Sequence, residues 1–237
     1  MSLEDRVAVI TGATGGFGST LACDLAGRGA SLALLDIEPA RLESLTRTLD
    51  LPASRLYTQT LDTLDAPATQ AAAAAIQAHF GRIDILLHVV GGWTGGKTLA
   101  EVPASDLTFM LNQHVWTSFN VIQAFVPHLV RNGCGRVAMV TSPYAFRPNA
   151  RGGPYAIGKA GQEALILTLS QELIGTGVTA NLLQAKTIDA RREKVTDPSP
   201  DNAFWTTPEE LTAAILYLLS EEAGTVNGAR IPLYGSF

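Results

Sequence analysis

Apolar positions along the chain fall into short runs separated by stretches of helical period. Residues 6–11, 30–36, 83–90, 135–141 and 177–183 are rich in Val, Ile, Leu and Ala, and each predicts a strand, as does the more polar stretch 55–61. A last short strand is expected at 229–234, where Pro232 suits a sheet edge. Between these runs, residues 19–29, 39–49, 66–80, 105–130, 155–174 and 208–219 carry apolar residues at helical spacing. Strand then helix, repeated, predicts an α/β chain: a doubly wound parallel sheet of about seven strands with helices on both faces. No linker or repeat divides residues 1–237, so one domain is expected, with substrate loops near 91–97, 143–154 and 186–206.

Composition narrows the function classes. The chain has 46% hydrophobic and 16% charged residues and a net charge of −5, which suits a substantial core and not a nucleic-acid surface. No apolar run approaches the ~18 residues of a membrane span, and the N-terminus lacks a signal-peptide pattern. Cys23 and Cys134 form no disulfide framework or metal motif and read as small buried fillers. A reducing, cytoplasmic setting follows as the expectation.

Three constellations carry candidate chemistry. The first strand runs into Gly12-Ala-Thr-Gly-Gly-Phe-Gly18 and then a helix. A glycine loop in that place lets backbone approach a pyrophosphate at the helix N-terminus, in a Rossmann-type arrangement. The competing reading is a tight turn, with Phe17 as packing. The second strand ends at Asp36, where a carboxylate would accept hydrogen bonds from an adenosine ribose and repel a 2′-phosphate. NAD(H) is therefore favoured, with NADP(H) as the alternative; a simple cap before Pro39 is the competing role for Asp36. Asp62, at the end of the third strand, is placed to meet the adenine edge. Third, Tyr155 and Lys159 are four residues apart on one helix face, and Ser142 ends the fifth strand. An ammonium beside the phenol is expected to lower the tyrosine pKa, so that Tyr155 exchanges a proton with a substrate oxygen that Ser142 also holds. Asn112, inside the long helix, marks either a solvated face or a local opening with a use.

Taken together, Thr11-Gly12-x-x-x-Gly16-x-Gly18, Asp36, Asp62, Asn112, Ser142 and Tyr155-x-x-x-Lys159 stand in the order of the short-chain dehydrogenase/reductase family, which the chain resembles over its whole length. The resemblance implies hydride transfer between a nicotinamide and a carbonyl or alcohol carbon of a small molecule. Tyr155 would be the acid/base, Lys159 would bind the nicotinamide ribose, Ser142 would orient the substrate oxygen, and Asn112 would hold a relay water. It also implies cofactor contacts at Gly12, Thr14, Gly16, Phe17, Gly18, Asp36, Ile37, Leu61, Asp62, Val89, Val90, Gly91, Tyr155 and Lys159, and a homodimer or homotetramer built on the long helix and the helix of Tyr155. No nucleic acid, membrane or metal enters this reading.

The chain departs from the family pattern in four places. His88-Val-Val-Gly91 replaces the usual Asn-Asn-Ala-Gly, with His88 expected as a satisfied core histidine. Ala185-Lys186 replaces Pro-Gly and Ala190 the usual threonine, leaving Thr187 and Ile188 to contact the nicotinamide. The usual C-terminal Asp-Gly-Gly is absent; 233–236 read Leu-Tyr-Gly-Ser. The 91–96 loop, 186–189 and the region of Trp205 are similar to dihydropteridine reductases of the same family, so a pteridine or quinonoid reductase is an alternative. A non-catalytic nicotinamide-binding sensor or scaffold is another. Trp93, Tyr144, Phe146 and Trp205 are expected to line an apolar substrate pocket. Arg147, Arg151, Arg191, Arg192 and Lys194 are either a draw for an anionic substrate or a solvated face.

Overall fold

A computed structural model describes residues 2–234. Gly235 and Ser236, part of the C-terminal departure, lie outside the described residues. Seven strands form one parallel sheet: β1 (Val7–Thr11), β2 (Ser31–Asp36), β3 (Leu56–Thr60), β4 (Ile85–His88), β5 (Gly135–Thr141), β6 (Val178–Gln184) and β7 (Arg230–Pro232). Their order is β3-β2-β1-β4-β5-β6-β7, so Pro232 does sit on an edge strand. The order reverses between β1 and β4, where a crevice opens at the carboxyl ends of the strands.

The helices are α1 (Gly16–Gly27), α2 (Pro39–Leu49), α3 (Ala66–Phe80), α4 (Ala104–Leu111), α5 (Thr117–Arg131), α6 (Gly153–Glu172), a single turn α7 (Glu193–Thr196) and α8 (Pro208–Leu219). Their starts follow local chemistry. Asp65 caps α3 by accepting from the Ala68 N–H, and Thr207 with Glu210 forms a reciprocal capping box on α8. One core lies under α1, α2 and α8, with Leu21, Leu25, Leu42 and Ile215 against Ile10 and Leu34. A second lies under α3, α5 and α6, with Ile76, Phe125 and Ile166 against Val9, Leu86 and Leu182. Each fully buried Leu, Ile or Phe stabilises the sandwich by roughly 1.5–3 kcal/mol.

The expected helix at 105–130 is not continuous. Between α4 and α5, residues Asn112–Trp116 form a π-helical turn in which the Thr117 N–H reaches the Asn112 carbonyl. The helix thus opens at Asn112, where one of its two readings put a local opening. The cysteines differ from expectation. Cys23 is exposed, and Cys134 is half-buried with its sulfur 3.5 Å from Arg6 Nη1.

Candidate active site

The cleft is built on bare backbone. Gly12 has φ of +73°, and a Cβ there would lie 3.0–3.2 Å from backbone atoms of Val89 and Val90. At Gly18 a Cβ would lie 2.3 Å from the Gly12 carbonyl oxygen. Glycine at 12 and 18 is therefore a packing requirement between the end of β1, α1 and the end of β4. The first-turn N–H groups of α1, which have no helical partners, open on the crevice. Two adjoining cavities, each about 330 Å³, share Gly12, Gly15, Val89, Val90 and Gly91. Such a glycine-floored, two-lobed cleft at a helix N-terminus fits a dinucleotide.

One lobe is lined by Thr14, Asp36, Ile37, Leu61 and Asp62, the expected adenosine side. Asp36 serves as the cap that its competing reading gave it, and it also lines the adenosine lobe. Its Oδ1 accepts from the Glu38 N–H at 3.2 Å, and its Oδ2 accepts from the Thr14 N–H at 2.9 Å, so it caps its turn and ties it to the glycine loop. Arg41, on α2, lines the same lobe. Its guanidinium-bearing side chain, five residues beyond Asp36, brings a positive charge to that lobe.

The other lobe holds Gly16, Phe17, Gly18, His114, Tyr155, Lys159, Ala185, Lys186, Ile188 and Ala190. Ser142, fully buried, lies close enough to the Tyr155 hydroxyl to hold its pKa down, and its Oγ accepts from the Tyr144 N–H at 3.4 Å. Lys159 is also buried, with Nζ donating to the Val140 carbonyl at 2.8 Å and to Gln162 Oε1 at 2.9 Å. Ser142, Tyr155 and Lys159 thus converge at the ends of β5 and α6.

The electrostatics correct one expectation. Burial raises the Tyr155 pKa; the Ser142 side chain pulls it back only in part, and Tyr144 pushes it up further. Lys159 does not bring it down here, because the ammonium is turned to Val140 and Gln162 and burial itself lowers Lys159 to about 7. Tyr155 is accordingly a protonated phenol at neutral pH.

Asn112 does not line the cleft; His114, two residues on, does. Its ring stands edge-to-face on Tyr155, with centroids 5.5 Å apart, and its Nε2 lies 3.0 Å from the Gly92 carbonyl. Burial and the nearby Lys159 lower its pKa to about 3, so the imidazole is neutral, Nε2 is the donor and Nδ1 has no partner. Sequence reasoning missed His114. The available signal was a histidine inside an apolar helical stretch just after a suspected opening. His88 is the expected core histidine: Nδ1 lies 2.7 Å from Thr11 Oγ1, Nε2 lies 3.4 Å from Thr117 Oγ1, and burial lowers it to about 3.

The proposed aromatic pocket does not assemble. None of Trp93, Tyr144, Phe146 and Trp205 lines either lobe. Trp93 is 65% exposed, Phe146 lies under Arg147, and the Trp205 carbonyl accepts from Lys194. Of the two residues offered for the nicotinamide, Ile188 lines the cleft and Thr187 is exposed, its carbonyl accepting from the Thr206 N–H. Ala190 packs directly on the glycine loop, where a Cβ at Gly16 would come within 2.4 Å of it. Arg191, Arg192 and Lys194 pair with Glu193, Glu209 and Glu210, which supports the solvated-face reading.

Comparison with known proteins agrees with this geometry. A family model described as short chain dehydrogenase matches residues 6–199. A 3-oxoacyl-(acyl-carrier-protein) reductase of Thermotoga maritima is 27% identical over 243 residues, spanning 99% of this chain and 98% of its own. A D-threitol dehydrogenase of Mycolicibacterium smegmatis is 28% identical over 251 residues, spanning 99% and 94%. A short-chain type dehydrogenase/reductase structure from Mycobacterium ulcerans superposes with a TM-score of 0.89 at 23% identity, covering 98% of this chain and 90% of the other.

Proposed function

This chain belongs to the short-chain dehydrogenase family, and is an NAD(P)-dependent oxidoreductase of it; from that premise we propose that it transfers hydride between NAD(H) and the carbonyl or alcohol carbon of a small molecule, with Tyr155 as the acid/base. The observation that carries the reading is the convergence of Ser142, Tyr155 and Lys159 beside a glycine-floored cleft. When bound, the nicotinamide supplies or accepts the hydride. The chain's own residues do the rest. Tyr155, held protonated by burial, donates its proton to the oxygen of a carbonyl substrate. Ser142, beside the Tyr155 hydroxyl, holds the substrate oxygen next to it. Lys159, charged when its ribose partner is in place, offers an N–H into the lobe and favours the phenolate left behind. Val89, Val90 and Ile188 wall the cleft with apolar surface that excludes water.

Cofactor preference rests on Asp36, whose carboxylate faces the adenosine lobe and disfavours a 2′-phosphate. Fluorescence titration of NADH and NADPH tests it. Wild type is expected to bind NADH at least ten times more tightly. Asp36→Ala should narrow or reverse that ratio, since Arg41 then faces the phosphate without the Asp36 carboxylate beside it. Equal affinities in wild type would refute the preference. A substrate panel of ketones, alcohols and a quinonoid dihydropterin separates the carbonyl reading from a pteridine reductase. We also infer a homodimer or homotetramer, on the exposed Phe109, Trp116 and Ile157 of neighbouring segments.

A further inference from the structure

Beneath the cleft, buried polar side chains form a connected chain that the reaction scheme leaves unused. Two of the three Lys159 N–H groups are committed, one to the Val140 carbonyl and one to Gln162 Oε1. Gln162 is fully enclosed, one turn further along α6. Its Nε2 donates to Ser118 Oγ at 3.0 Å, and Ser118 Oγ donates to the His114 carbonyl at 2.6 Å, inside the π-helical turn. An enclosed amide is costly unless its oxygen and nitrogen both find partners, and an apolar side chain would fill the same space without that requirement.

We propose that Gln162 is a positioning residue: its amide oxygen fixes the Lys159 ammonium in its charged form with one N–H left for the cleft, and its amide nitrogen ties that ammonium, through Ser118, to the turn that carries His114. The role rests on the Tyr155–Lys159 reading above. Apart from the Val140 carbonyl, only Gln162 accepts a hydrogen bond from Lys159 among the described residues. Glu163, on α6, favours the ammonium, but its Oε2 accepts from Arg230 Nε of β7 at 2.5 Å and its Oε1 from Thr141 and Gln184. His88 on β4 and His114 on the turn are neutral, and Tyr155, one turn before, is a neutral phenol. Because burial already brings Lys159 down to about 7, losing an acceptor changes its charge at working pH.

The test follows the Lys159 side chain directly. The chain has four lysines, Lys97, Lys159, Lys186 and Lys194, so ¹³Cε-lysine NMR resolves each through a pH titration of the full-length protein. Gln162→Leu removes the acceptor at similar volume, and should lower the Lys159 midpoint by at least one pH unit, tenfold in its acid constant. Gln162→Glu keeps an oxygen and adds charge, so the midpoint should rise. Ser118→Ala frees the amide nitrogen and should lower it by less, and serves if Gln162→Leu does not fold. In NADH oxidation with a carbonyl substrate, the basic limb of the pH profile should move in the same directions. Midpoints that stay at the wild-type value in Gln162→Leu and Ser118→Ala, even with reduced thermal stability, would overturn the proposal by showing a purely structural role. The titration is read without cofactor or substrate, so it stands or falls separately from the reaction.

Discussion

Tyr155 and Lys159 were legible from their spacing, and Ser142 from its place at the end of an apolar run. Their charge states were not, because those depend on how deeply each group is buried and on where the ammonium points. The same holds for the two histidines. His88 and His114 are both fully buried and titrate near 3, against about 6.5 for a solvated imidazole. The unfolded chain therefore binds more protons than the folded one once the pH drops below 6.5. Stability should fall between pH 6.5 and 3, by up to about 1.4 kcal/mol per pH unit for each group. Urea unfolding at pH 7, 6 and 5 checks this, and His88→Asn should remove about half of the slope. Stability that is flat from pH 7 to 5 would show that both imidazoles charge inside the fold.

At the scale of elements, the bounds of α2, α3 and α8 follow from the sequence alone, since proline starts and side-chain caps are local signals. The π-helical turn is not local. Its cause is visible only in packing: α6 approaches so closely that a Cβ on Gly158 would lie 2.8 Å from the Met110 carbonyl and 3.1 Å from His114 Cδ2. A Cβ on Gly161 would likewise meet Val115 at 2.7 Å. Gly158→Ala should therefore cost roughly 1–3 kcal/mol in denaturant unfolding and also reduce turnover, because His114 and Tyr155 are pushed apart. A variant as stable and as active as wild type would mean that the turn yields without effect. The 186–206 segment was harder to read for the same reason. Its aromatic residues suggested a pocket, but the Asp189 carboxylate accepts from the Glu193 and Lys194 N–H groups, and Arg192 and Lys194 fold back on α8.

For the whole molecule, strand count, parallel pairing and helices on both faces were legible because the central strands are apolar along most of their length and alternate with helical stretches. The meeting of His114 with Tyr155, and of Ala190 with the glycine loop, joins residues distant in sequence and was not. Phe109, Trp116 and Ile157, each 45–53% exposed, leave an apolar face on α4, the turn and α6. Sedimentation is expected to show a dimer or tetramer, and Trp116→Asp should shift it toward the 25.0 kDa chain. A wild-type protein that stays monomeric at micromolar concentration would remove that expectation.

The central claim is proton transfer by Tyr155 coupled to hydride transfer in this cleft. The most direct measurement is NADH oxidation against a panel of carbonyl compounds, wild type beside Tyr155→Phe, with NADH affinity measured for both. The account predicts turnover by wild type on at least one carbonyl, a fall of about 10²–10⁴-fold in Tyr155→Phe, and unchanged NADH binding. Turnover that survives the loss of the phenol would contradict it.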